Sequence, residues 1–131
     1  MPTLHYTTHA YTSREEKEEK IAQYYIENID NHHITLPDTL PVENNVFHLF
    51  PILCSHRDEL HDYLEHNGVG TLIHYPIPPH KQECYRAWNQ LSLPVTEQIA
   101  AQELSLPIGP AISIEEAGTV VKLLNCFQPG A

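Results

Sequence analysis

Three prolines within four residues constrain this chain more than any other feature of its sequence. Pro76, Pro78 and Pro79 lack backbone N–H donors, so residues 75–79 are expected to form neither a helix nor a central strand. Such a segment is a stiffened loop, and it separates two parts of the chain that carry strand and helix signals. It also holds the histidines on either side of it.

The part before this loop alternates between strand and helix signals. Residues 46–53 are rich in aromatic and branched side chains and predict a strand, in which Pro51 indicates an edge position or a bulge. Ser55 is placed to cap a helix over residues 56–66, and the Asn-Gly pair that follows is a helix stop. Residues 69–74 return to a strand pattern. These elements predict a strand–helix–strand unit, either βαβ-like or split.

A first helix is predicted ahead of this unit. Residues 13–16 have the pattern of a capping box, so the helix is expected to begin there and to run to about residue 28. Residues 1–12 show no clear period and are expected to form a short strand or a loose arm. The side chains that fall on one face at helical spacing are Ile21, Tyr24, Tyr25 and Ile29.

The part after the loop predicts a short helix over residues 80–88, a helix starting at Pro94, and a brief strand at residues 104–107. A second capping-box pattern at Ser113 predicts a last helix. The side chains expected to face the core are Ile99, Leu104, Ala117, Val120, Val121 and Leu124. Together the elements predict an α/β fold, a small sandwich of a sheet of three or four strands with helices packed on it.

Composition argues against several classes of protein. The net charge is −10 and only seven residues are Lys or Arg, so a nucleic-acid partner is not expected. No apolar run approaches the ~20 residues of a membrane helix, so no membrane partner is expected. The amino terminus lacks the pattern of a secretory signal. The three cysteines are widely spaced, which indicates reduced thiols in a cytoplasmic protein.

Ten histidines raise the question of a metal site. His56, His61 and His66 recur every five residues, and five residues turn a helix by about 500°, so their side chains diverge. Surface histidines are the better interpretation, and no metal ligand or catalytic residue is predicted.

The segment around the prolines is the candidate ligand site. A strand delivers His74 and Tyr75 at its end, and His80 begins the next element. Rigid display of two imidazoles and a phenol suits the binding of a polar ligand. A core strand followed by an ordinary proline loop explains the same residues equally well.

Several motifs occur here in the order typical of one family. They are VFHLF at residues 46–50, RDEL at 57–60, NGVGT at 67–71, HYPIPPH at 74–80 and LSLP at 104–107. Together they resemble the carboxy-terminal region of the DegT–DnrJ–StrS sugar aminotransferases, with residues 74–88 most similar to enzymes that aminate dTDP-linked keto-6-deoxy sugars. Residues 13–127 would be the small carboxy-terminal domain, residues 1–12 an unmatched arm and residues 128–131 a tail.

The resemblance implies the small domain of a fold type I pyridoxal-phosphate enzyme, usually a dimer, in which a lysine holds the cofactor as a Schiff base. It implies substrate contact for His74, Tyr75 and His80, with a sugar nucleotide as the partner of the full-length protein. The cofactor lysine of the family lies in the amino-terminal portion, so no cofactor is expected in this chain.

Three functions remain open at this point. The first is an aminotransferase fragment that is inactive alone. The second is a non-catalytic interaction or dimerisation module that pairs with itself or with a full-length relative. The third is an independent small enzyme or metal protein.

Overall fold

The computed structural model describes residues 2–38 and 41–131, and for residues 2–13 it describes the backbone only. Within those residues the helices are α1 (Pro2–Asn28), α2 (Arg57–His66), α3 (Pro94–Gln102) and α4 (Ile114–Cys126). The strands are β1 (Ile34–Thr35), β2 (Phe50–Cys54) and β3 (Glu103–Leu106), and 3₁₀ segments occupy Val42–Asn44, Pro79–Lys81 and Glu83–Trp88. The predicted α/β class is confirmed.

The sheet has the strand order β1-β2-β3, and both pairings are antiparallel. Phe50 and Ile52 of β2 point to one face and are fully buried, as the period of two in a strand requires. Tyr25 of α1 packs on Phe50 with ring centroids 5.1 Å apart, and its hydroxyl donates to the carbonyl of Pro107 at 2.6 Å. Helix α1 is thereby fixed to the end of β3.

Strand β3 has two faces of different chemistry. Leu104 and Leu106 belong to the hydrophobic core, which also includes apolar side chains of α1, α2 and α4. Glu103 and Ser105 alternate with them and are also buried, so they lie on the opposite face. The core and the polar face are therefore separated by the sheet.

The predicted strand over residues 46–53 was too long at its start, because its length is set by its partner. Phe50 opposes Leu106, and the next residue of the partner is Pro107, which has no N–H to pair. Pro51 lies in the middle strand of the sheet, but β1 pairs only with Leu53 and Cys54, so β2 is unpaired on that side at Pro51.

The strand predicted over residues 69–74 was also wrong, since only Leu72 pairs, as an isolated antiparallel bridge to Ser105. Backbone N–H groups that could pair with a neighbouring strand donate to side chains instead. The Thr71 N–H donates to the Glu65 carboxylate, and the His74 N–H donates to the Glu103 carboxylate. Leu72 and β2 are both antiparallel to β3 and lie on its two sides. The strand–helix–strand unit is therefore split, one of the two predicted arrangements.

Three predicted helix starts and one residue predicted to face the core differ in the structure. Helix α1 begins at Pro2, so residues 2–12 are helical and Ser13 lies inside the helix; Met1 lies outside the described residues. Helix α2 has His56 rather than Ser55 at its N-cap, without a side-chain bond. The helix expected over residues 80–88 is two 3₁₀ segments broken at Gln82, and Ile99 is exposed while Ala100 is buried.

Helix α4 matches its prediction. The Ser113 hydroxyl accepts from the Glu116 amide at 3.1 Å, and the Glu116 carboxylate accepts from the Ser113 amide at 2.8 Å. These bonds hold the pKa of Glu116 below its usual range. The residues expected to face inward, Ala117, Val120, Val121 and Leu124, are all buried.

Replacing Ser113 with alanine is expected to lower the free energy of unfolding by about 1 kcal/mol, because the Glu116 amide loses the hydroxyl that accepts its hydrogen bond. Urea unfolding followed by circular dichroism measures the change. Ser92→Ala, at an exposed serine in the loop before α3, should change it by less than ~0.5 kcal/mol. An equal loss in both variants would contradict the role of the cap.

Candidate functional site

His74 is held by two buried side chains of the polar face of β3. Its backbone N–H donates to Glu103 Oε2 at 2.6 Å, and its ring Nδ1 lies 2.9 Å from Ser105 Oγ. Ser105 Oγ also lies 2.6 Å from Glu103 Oε1, and Glu103 and Ser105 are both buried. The three residues therefore form one hydrogen-bonded chain, which fixes both the backbone and the ring of His74.

Tyr75 lies beside this chain and is exposed. The rings of His74 and Tyr75 meet edge to face at 5.4 Å, and the peptide bond between the two residues is cis. Both residues line a cavity of about 160 Å³. The rest of its wall comes from the proline loop and α3: Ile77, Pro78, Pro79, Thr96, Ile99 and Ala100. This volume is below the ~300–1,000 Å³ of typical ligand pockets, so the cavity holds only part of a nucleotide-sized ligand.

His80 is placed differently from the other two predicted residues. Its side chain is only 4% exposed and does not line the cavity, and its Nε2 lies 2.8 Å from Glu97 Oε1. The Leu93 amide donates to the same oxygen at 3.1 Å, and Lys81 Nζ lies 3.8 Å from it. The structure therefore brings His74 and Tyr75 together at the cavity and places His80 in a network that ties the proline loop to α3.

Glu97 is expected to make the stability of this network depend on pH. The hydrogen bond from His80, then the Leu93 amide and nearby Lys81, hold its pKa below the usual range. A carboxylate whose pKa is lowered by folding stabilises the folded state at pH values above its unfolded pKa. This stabilisation is lost as the pH falls through its folded pKa. Glu97→Gln should therefore flatten the fall in unfolding free energy from about pH 5 to about pH 3.

Urea unfolding at several pH values measures that slope. Glu115→Gln removes the same charge from an exposed position on α4 and serves as the matched control. An unchanged slope in Glu97→Gln, or equal flattening in both variants, would contradict the role of Glu97.

Sequence reasoning missed three residues that support the site. The sequence pattern at Glu103 and Ser105 does indicate their orientation. They alternate with Leu104 and Leu106 in a strand, so their side chains point away from the core. Arg57 is buried, and its Nη1 donates to the carbonyls of Ala100 and Glu103 at 3.2 and 3.1 Å. Nothing in the sequence around Arg57 indicated these contacts, because both acceptors are distant backbone atoms.

A metal site and a membrane-spanning helix are both absent from the part of the chain that the structure describes. No group of three or more His, Cys, Asp or Glu side chains within residues 14–38 and 41–131 is arranged to hold a metal ion. No helix in that part of the chain has the length and apolar character needed to cross a membrane.

Comparison with known proteins assigns the family. Residues 9–125 match the DegT/DnrJ/EryC1/StrS aminotransferase family. The chain belongs to this family, whose members are pyridoxal-phosphate-dependent aminotransferases.

The relatives are considerably longer than the chain. It is 44% identical over 112 residues to the dTDP-3-amino-3,6-dideoxy-alpha-D-galactopyranose transaminase of Aneurinibacillus thermoaerophilus, covering 86% of this chain and 31% of the relative. It is 43% identical over 90 residues to the dTDP-3-amino-3,4,6-trideoxy-alpha-D-glucose transaminase of Streptomyces venezuelae, a match that covers 67% of this chain and 24% of the relative. The structure of S. venezuelae DesV with a ketimine intermediate superposes with a TM-score of 0.85 at 33% identity. That superposition covers 94% of this chain and 34% of DesV.

The chain thus spans a quarter to a third of the length of these proteins. That share agrees with the expected correspondence to a carboxy-terminal portion. The boundaries predicted at residues 12 and 127 stay a prediction.

The residues of this chain do not fit pyridoxal phosphate. A cofactor site needs a free lysine amine, and the Lys81 amine donates to the carbonyls of Asn89 and Leu91 at 2.7 and 2.9 Å. Lys17 and Lys20 are exposed on α1, and Lys122 is exposed on α4. None of the four lysines lines the cavity at His74 and Tyr75.

Proposed function

We propose that this chain forms the substrate side of a sugar-nucleotide aminotransferase, in which His74 and Tyr75 contact a dTDP-linked keto-6-deoxy sugar. The observation that carries the proposal is the pairing of these two side chains at one cavity, in a chain of this family. The transaminases of A. thermoaerophilus and S. venezuelae act on dTDP-linked amino sugars, which supports the substrate class.

The cofactor, its lysine and the remaining wall of the site would come from residues outside this chain. This division follows from the lysine positions and from the small volume of the cavity. The isolated chain is then inactive, and amino transfer requires its union with a cofactor-bearing part. The free thiols Cys54, Cys84 and Cys126 suit the cytoplasm.

His80 keeps a less direct role in this proposal. Its imidazole is buried and bound to Glu97, so it supports the loop that carries Tyr75. Substrate contact by His80 stays a prediction, and it would require the ring to leave Glu97.

A chimeric enzyme tests the proposal. The segment of the A. thermoaerophilus transaminase that aligns with this chain is replaced by the residues of this chain, and amino transfer to its dTDP-keto sugar is assayed. We expect activity, and His74→Ala and Tyr75→Phe should each lower kcat/KM by about tenfold or more, the equivalent of a lost hydrogen bond. Tyr85→Phe, at an exposed tyrosine that does not line the cavity, should leave kcat/KM unchanged.

A folded chimera with no activity would contradict the substrate class. An active chimera that tolerates both His74→Ala and Tyr75→Phe would contradict the site.

A second function, an interaction module, is favoured by one observation. Nine of the twelve exposed large hydrophobic side chains among the described residues lie within residues 72–99. Exposed apolar side chains concentrated in one segment mark a protein-binding surface more often than isolated ones do. The partner would be a second copy of this chain or a full-length relative.

Sedimentation equilibrium of the purified chain over a range of concentrations tests this module. Self-association is expected to weaken in Val95→Asp and to persist in Val46→Asp, because both valines are exposed and only Val95 lies in the segment. A chain that is monomeric at all concentrations and binds no full-length relative would exclude it.

A further inference from the structure

The hydrogen-bonded chain behind His74 has a definite direction. Glu103 accepts from the His74 backbone N–H at 2.6 Å and lies 2.6 Å from Ser105 Oγ. An ionised carboxylate only accepts hydrogen bonds, so the single hydroxyl proton of Ser105 is directed to Glu103. Ser105 Oγ then has only lone pairs left for His74 Nδ1, which lies 2.9 Å away.

The carboxylate of Glu103 is satisfied by two hydrogen-bond donors. Its two carboxylate oxygens each receive a hydrogen bond, from the His74 amide and from the Ser105 hydroxyl. The guanidinium of Arg57 donates to the backbone carbonyl of Glu103 at 3.1 Å, and its ion pair is with Asp58 at 2.6 Å. Both oxygens of the buried Glu103 side chain therefore have hydrogen-bond partners, as a buried carboxylate requires.

We infer that Ser105 and Glu103 are positioning residues that keep a proton on Nδ1 of His74 and thereby present Nε2 to the ligand as a hydrogen-bond acceptor. Within the described residues no hydrogen bond involves Nε2, and His74 lines the cavity with Tyr75. A neutral imidazole with its proton on Nδ1 accepts through Nε2, so its partner is a hydroxyl group of the sugar and not an unprotonated phosphate oxygen.

This inference rests on the proposed function for the identity of the ligand, but the position of the proton is measurable without any ligand. The 131-residue chain is labelled with ¹⁵N, and long-range ¹H–¹⁵N spectra are recorded at about pH 8.5, above the ordinary histidine pKa of about 6.5. The expected result is that the His74 ring is mainly the Nδ1–H tautomer. A ring that is mainly the Nε2–H tautomer would overturn the inference, because Glu103 would then carry the proton.

Two variants test the chain of bonds by different routes. Ser105→Ala removes the acceptor, so the preference for Nδ1–H should be lost, and Ser105→Thr, which keeps a hydroxyl, should restore it. Glu103→Gln keeps the shape, and the His74 amide directs the amide oxygen of Gln toward itself. The Gln NH₂ group then donates to Ser105, Ser105 donates to Nδ1, and the ring should change mainly to Nε2–H.

Ser92→Ala, at an exposed serine, should leave the tautomer of His74 unchanged. If neither Ser105→Ala nor Glu103→Gln changes the tautomer, the inference is wrong. The Glu103→Gln variant is nearly isosteric, so it supplies the answer even if Ser105→Ala does not fold.

The chimeric enzyme separates this inference from the proposed function. Ser105→Ala should lower kcat/KM about tenfold, the equivalent of one hydrogen bond, and Ser105→Thr should restore most of it. Loss of activity in His74→Ala but not in Ser105→Ala would overturn the positioning role and leave the proposed function intact. Full activity in His74→Ala would overturn the proposed site, whatever the tautomer.

Discussion

Replacing Phe50 with alanine is expected to lower the free energy of unfolding by about 3–5 kcal/mol. Phe50 is fully buried, and its ring contacts the rings of Tyr25 at 5.1 Å and Phe47 at 6.1 Å between centroids. Its removal leaves a cavity where α1 meets the sheet, and the surrounding side chains refill such a cavity only in part. The loss is a large fraction of the ~5–15 kcal/mol that holds a typical domain folded.

Urea unfolding of the purified chain, followed by circular dichroism, measures this loss. Val46→Ala is the control, because Val46 is 74% exposed and lies four residues before Phe50. Its effect should stay within ~0.5 kcal/mol. Phe50→Leu, which keeps most of the volume, should cost less than ~1.5 kcal/mol and remains measurable if Phe50→Ala does not fold. A loss below ~1 kcal/mol in Phe50→Ala would contradict the packing of α1 on β2.

Replacing Arg57 with alanine is expected to cost about 1.5–3 kcal/mol. Its guanidinium donates to the carbonyl of Ala100 in the last turn of α3, where carbonyls have no partner within the helix, and to the carbonyl of Glu103. Removing the guanidinium leaves both buried acceptors without this donor. It also removes a positive charge that interacts favourably with the negative, carboxy-terminal end of the α3 dipole.

Arg86→Ala is the matched control for this prediction. The Arg86 side chain is 74% exposed and pairs with Glu83 three residues earlier, an arrangement that contributes about 0–1 kcal/mol. Thermal unfolding should therefore show a clearly lower Tm in Arg57→Ala than in Arg86→Ala. Similar Tm values in the two variants would contradict the role of Arg57 in joining α3 to β3.

Elements whose signals are local could be predicted from the sequence. Helix α4 carries its own start in the capping box at Ser113, and its apolar period is complete from Ala117 to Leu124. The strand at Leu104 was predicted from a short apolar run stopped by proline. Both predictions depended on neighbouring residues alone, so tertiary contacts did not alter them.

Elements whose limits depend on distant residues were predicted poorly. The start of β2 is set by Pro107 on the opposite strand, and the strand expected at His74 is prevented by carboxylates that take its amides. Residues 2–12 contain Thr, His and Tyr, which have modest helix propensity, so no helix signal is visible in the sequence where α1 begins.

The site was predicted in part for the same reason. His74 and Tyr75 lie next to each other in the sequence, so their pairing at one cavity needed only the proline loop. Glu103 and Ser105 lie about thirty residues further on, and only the sheet brings them to His74. Their alternation with leucine showed that they leave the core, but it did not show what they meet.

The central claim is that this chain supplies the substrate side of an aminotransferase and not its cofactor site. The most direct test is whether borohydride reduction links pyridoxal phosphate to a lysine of the chain. The purified chain is incubated with pyridoxal phosphate, dialysed, treated with borohydride and analysed by mass spectrometry for a covalent lysine adduct. We expect no retained adduct, since the Lys81 amine is bound by two carbonyls and the other lysines are exposed on helices. A retained one-to-one adduct on a single lysine, above all Lys81, would contradict the account.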